Sequence, residues 1–96
     1  MATRKSVDDI INRCESAIQF AEEQYEAGSR QEHFHDVEYS DALHQLEVVG
    51  MELRKLSESA NDQQREQLHR TRLKVQQLQN RMIMLNHDRP IYSTWH

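Results

Sequence analysis

Two pairs in this chain have residue types and spacing that suit a di-metal carboxylate site: Glu66 with His69, and Asp41 with His44, each a carboxylate and an imidazole three residues apart. Helical bundles that hold two iron ions use Glu-x-x-His pairs, because a three-residue step places both ligands on one side of a helix. The pairs must also point inward. Here Glu66 and His69 flank Leu68, Asp41 and His44 flank Leu43, and the inner side of the first helical stretch offers Val7, Ile11, Cys14, Ile18 and Ala21 where further carboxylates would be needed. A second ligand set, Glu32, His33, His35 and Asp36, has suitable donors for a transition metal. Histidines one residue apart in a polar loop are ordinarily solvated, however, and no cysteine joins them. The expectation is no metal and no cofactor.

Two further groups have chemical potential. Arg65, Arg70, Arg72, Lys74 and Arg81 form a basic set able to meet phosphates, with Arg70, Arg72 and Lys74 at its centre. Glu66 interrupts the set and no aromatic residue is interleaved for base stacking, so nucleic-acid binding stands as the alternative rather than the leading expectation. Cys14 is the one cysteine, lies in an apolar seam and reads as a small buried hydrophobe. The chain has no glycine-rich phosphate loop, no Gly-x-Ser-x-Gly elbow and no carboxylate pair in an apolar cleft. A narrow bundle leaves little room for a substrate. The sequence therefore predicts a non-enzymatic protein with no small-molecule substrate.

The elements that position these residues follow from composition and periodicity. Ninety-six residues suit one small domain with a modest core, and two glycines and one proline are too few for the turns of a β-sandwich or barrel. Gln, Glu, Arg, Leu and Ala are plentiful helix formers, so the class is all-α. No stretch approaches the roughly 20 apolar residues of a membrane span, and the start leads into acidic residues, so a cytoplasmic protein is expected.

Net charge is −4, unevenly distributed: three basic and six acidic residues in 1–28, three and seven in 29–61, six and three in 62–96. The spacing predicts that the basic last third lies against its acidic neighbours.

Three seams set the architecture. Val7, Ile11, Cys14, Ile18, Ala21 and Tyr25 alternate steps of four and three, with Ile10 and Ala17 widening the stripe. Ser6 is expected to cap this helix and Gly28 to stop it. The second seam is Tyr39, Ala42, Leu46, Val49, Leu53, Leu56 and Ala60, and the third is Leu68, Thr71, Val75, Leu78, Met82 and Leu85. Seven residues after Ala60 comes Gln67, not Leu68, and one residue of slip turns the face by about 100°. A break capped by Asn61 with Gln64, or by Asp62, answers the slip, although neither Gly nor Pro enforces it; the alternative is a single helix from Asp36 to about Asn86, a lopsided hairpin whose long arm needs a second copy. The expected fold is an antiparallel helical hairpin or three-helix bundle with coiled-coil-like seams, with helices at about 6–27, 36–57 and 62–86 in a domain spanning 1–88, and a tail at 89–96.

The opening Met1-Ala2-Thr3-Arg4-Lys5-Ser6-Val7-Asp8, then Arg13-Cys14-Glu15 and Glu23-Gln24-Tyr25-Glu26-Ala27-Gly28, resemble a family of small uncharacterised Bacillus proteins, the YtzC-like family. The resemblance implies a cytosolic helical protein from a spore-forming bacterium, and it brings no site residues with it. The functional expectation thus rests on the residues themselves. It is protein–protein contact, with a partner or with a second copy, through apolar side chains that one bundle does not readily bury: Phe20, Ile83, Met84, Tyr92 and Trp95.

Overall fold

The computed structural model describes residues 2–29 and 36–88, with side chains over 2–28 and 37–85. Three helices, α1 (Arg4–Ser29), α2 (Asp36–Ser57) and α3 (Asp62–Asp88), pack pairwise into a three-helix bundle 52 Å long. The start of α1 meets the end of α2, where the Ala2 amide donates to the Ser59 carbonyl at 3.2 Å. The start of α3 lies at the same end, so α1 and α3 run parallel and α2 runs against both.

The break between α2 and α3 is built from local hydrogen bonds. The Gln64 amide donates to Asn61 Oδ1 at 2.8 Å, and the Asn61 amide donates to Gln64 Oε1 at 3.0 Å. This reciprocal capping box satisfies two amides that a helix start otherwise leaves unpaired. On the other side of the turn, Glu58, Ser59 and Ala60 donate to carbonyls three residues back, and Arg65 Nε donates to the Ser57 carbonyl at 3.0 Å. A continuous helix from 36 to 86 is therefore not formed, and Ala60 is buried in the turn.

At α1 the structure differs from expectation at both ends. Thr3, not Ser6, is the cap: the Ser6 amide donates to Thr3 Oγ1 at 3.0 Å, and the Thr3 amide donates to Ser6 Oγ at 2.9 Å. Ser6 is the other half of a capping box, and the helix begins two residues earlier. At the far end Gly28 does not stop the helix, which runs on to Ser29 with Gly28 buried inside it.

The buried face of α1 is also rotated. Val7, Ile10, Cys14, Ala17 and Ala21 are buried, while Ile11, Ile18 and Tyr25 are half-buried at its edge. A bundle helix with two neighbours buries a broad sector. Small side chains at 14, 17 and 21 allow close approach there, and α2 and α3 fill the centre with Tyr39, Leu46, Leu53, Leu68, Val75 and Met82. The hydroxyl of fully buried Tyr39 donates to the Met82 carbonyl at 2.6 Å, joining the start of α2 to the end of α3.

Two substitutions test this account. Asn61→Ala removes the acceptor for the Gln64 amide and is expected to cost about 1 kcal/mol, read as a lower urea midpoint at unchanged slope. Gly50→Ala acts in the opposite direction. Gly50 lies within α2, and a Cβ there meets Val75 Cγ1 at an ordinary 3.8 Å. The alanine variant is expected to gain roughly 0.5–1 kcal/mol in dilute solution; a loss would show that the α2–α3 seam cannot admit one methyl group.

Candidate interaction surface

The residues with metal-ligand spacing do not converge. Glu66, His69, Asp41 and His44 are all exposed, and Glu66 accepts a hydrogen bond from Arg70 at 2.7 Å within α3. His44 borders an open depression with Asn12, Arg13 and Ser16, which supply no carboxylate. Among the described residues no three of His, Cys, Asp and Glu sit together as a metal ion requires. Glu32, His33 and His35, and the side chain of Asp36, lie outside the described residues.

The basic set is divided by the helix. At about 100° per residue, Arg70, Lys74 and Arg81 share one side of α3, whereas Arg72 falls on the opposite side. There Arg72 is half-buried, lining a notch with Glu47, Gly50 and Val75 between α2 and α3. Arg65 is used at the end of α2 and Arg70 pairs with Glu66. The basic α3 lies against its acidic neighbours α1 and α2, but among the described residues no ion pair at contact distance joins it to either. Among the described residues the ion pair between helices is Arg13 with Glu52, joining α1 to α2. Helix packing in this bundle is thus carried by the apolar seams, and the basic residues of α3 meet a helix end, a glutamate of their own helix, the notch beside Glu47 or water.

The interaction residues separate similarly. Phe20 is half-buried and packs against the core cluster, so its edge covers the core. Ile83 and Met84 stand 45% and 63% exposed near the end of α3, either side of the buried Met82 seam position. Tyr92 and Trp95 lie outside the described residues. The structure adds exposed apolar residues that the seam analysis passed over: Val37, Val48 and Met51 on α2, and Leu73 on α3. Their signal was present in the sequence as apolar residues off the seam, with Val48 and Met51 three apart on one outer side. Val48 and Met51 line a shallow groove with Glu52, Arg54, Lys55 and Glu58.

Cys14 is fully buried, and that burial pushes its thiol from 9.0 up to about 11, against the opposing pull of Arg13. A buried protonated thiol is a poor nucleophile. Labelling by a disulfide reagent near pH 8 is expected to follow opening of the bundle rather than direct attack. The folded chain holds this proton where the unfolded chain has lost it. The associated stability is therefore present below about pH 9 and lost as pH rises from 9.0 towards about 11. Cys14→Ala is expected to flatten that part of the stability profile, and rapid labelling of the folded chain would contradict the assignment.

Comparison with known proteins agrees with this arrangement in size and offers no chemistry. No solved structure matches the chain. An uncharacterised protein, YtzC of Bacillus subtilis (strain 168), is 56% identical over 84 residues, covering 88% of this chain and 93% of the relative. The model of a protein family of unknown function, DUF2524, matches residues 1–84, which include all three helical seams up to Met82 and stop short of Tyr92 and Trp95. With the family model spanning most of its length, the chain belongs to the DUF2524 family of proteins of unknown function.

Proposed function

We propose that this protein acts in the cytoplasm by protein–protein contact, as a small structural or regulatory adaptor with no catalytic step of its own. The observation that carries the proposal is the pair Ile83 and Met84. Both remain exposed at the end of a helix whose seam is already satisfied by Leu68, Val75, Leu78 and Met82. Large apolar side chains kept next to one another outside a filled core are the usual signature of a contact surface.

The alternative, nucleic-acid binding, is favoured by one feature, the common side of Arg70, Lys74 and Arg81 on α3. Arg70 is already paired with Glu66, and the chain as a whole is acidic.

The test is crosslinking and copurification of the native chain and of an Ile83→Glu/Met84→Glu variant, after nuclease treatment. Loss of a stoichiometric protein partner at unchanged helix content is the expected result. Loss of helix content would place the two residues in the core. Recovery of nucleic acid that is salt-sensitive and lost on neutralising Arg70, Lys74 and Arg81 would decide for the alternative.

A further inference from the structure

The outer side of α2 is charge-segregated about an apolar centre. Val48 and Met51 are 39% and 62% exposed there, in the groove they share with Arg54, Lys55 and Glu58. Towards the start of the helix the charges on this side are acidic, Asp41 and Glu47, and beyond the centre come Arg54 and Lys55, followed by Glu58. Glu47 and Arg54 are seven residues apart, two turns of helix, so they occupy one flank. Among the described residues neither has an ion-pair partner.

We infer that this side of α2 is the contact surface for a second copy of the chain, the two α2 helices lying antiparallel about a two-fold axis that passes through Met51. The inference rests on the protein-contact function proposed above and names one such contact. A two-fold perpendicular to α2 reverses the helix direction while keeping each flank opposite its own counterpart. Met51 then meets Met51 of the second copy. Glu47 of each copy faces Arg54 of the other, and the pair occurs twice. His44 and Glu58, each two turns from Met51 on the same outward line, are brought opposite one another by the same operation, also twice. A parallel arrangement, its two-fold running along the helices, would set each flank against the other flank, bringing Arg54 level with Lys55 of the second copy and Glu47 level with Val48, so the charge pattern favours the antiparallel orientation.

The contact is modest in size. The 22 residues of α2 span about 33 Å, and a single-helix contact of that length falls below the roughly 800 Å² per partner of a standard interface. A weak dimer follows, with dissociation in the range of tens to hundreds of micromolar, roughly, and sensitive to salt because its charged pairs sit at the rim.

Sedimentation equilibrium of the full chain, from about 10 μM to about 1 mM, reads the association directly. Glu47→Arg and Arg54→Glu are each expected to weaken it about tenfold, since each replaces two attractions with two repulsions. The double variant Glu47→Arg/Arg54→Glu is expected to recover the original affinity, because both pairs are restored with signs exchanged. Met51→Lys is expected to leave a monomer. All these positions are exposed, and helix content by circular dichroism confirms that the fold is kept. A monomer throughout the concentration range, single variants with unchanged affinity, or a double variant that does not recover would each overturn the inference. A monomeric chain that still loses its cellular partner on Ile83→Glu/Met84→Glu would retain the adaptor function while excluding the dimer.

Discussion

The slip of one residue between the second and third seams is the constraint on which this bundle depends. Ala60 and Leu68 are both buried, yet they stand one position out of step with a seven-residue repeat. In a continuous helix that slip would swing the third seam about 100° away from the second. The reciprocal bonds of Asn61 and Gln64 let the chain stop and start again, and the turn resets the register. With the reset, α3 folds back on α2 and both seams bury against α1. Without it, a long amphipathic arm would need another chain to cover it.

Once the chain has covered its own seams, the remaining surface is decided by what is left over. The core is complementary in size: α1 brings Cys14, Ala17 and Ala21 where α2 and α3 bring Leu, Val, Tyr and Met. With these small residues turned into the bundle, Ile11, Ile18 and Tyr25 lie half-buried against the core at the edge of the face. Because apolar packing holds the helices together, the charges are released from that duty. One ion pair between α1 and α2, Arg13 with Glu52, is made among the described residues, and most of the rest face outward. A surface ion pair of this kind contributes on the order of 1 kcal/mol at most. Orientation and partner choice are the effects available to the other charges, and the polarised outer side of α2 and the basic side of α3 are the two places where their pattern is ordered.

Much of the fold was legible in the sequence because it is written in short-range interactions. Helical class follows from propensity and period. The second and third seams follow from steps of three and four, and a break is offered by Asn61 and Gln64, whose side chains reach amides only three residues away. The exposure of Ile83 and Met84 followed similarly, since the third seam already occupied the buried sector beside them. The placement of Glu66, His69, Asp41 and His44 off the seams was legible in the same way, and all four are exposed.

What the tertiary structure alone decided is whatever depends on two neighbours at once. The rotation of α1 onto Ile10 and Ala17 needed the shapes of α2 and α3, because periodicity locates an apolar stripe but not the middle of its contact. The start of α1 is tied to the turn after α2, the Ala2 amide donating to the Ser59 carbonyl. Gly28 stayed helical and buried although its type favours a stop, and the arginines of α3 were assigned individually to a helix end, a neighbouring glutamate, a notch or solvent. The sequence by itself determined the helical class, the three seams and the residues able to cap a break between the last two, since each of these is settled within one or two turns of chain; that the break is made came from the fold. The tertiary structure decided which sector of each helix is spent on the core, and hence which residues are left to meet anything else.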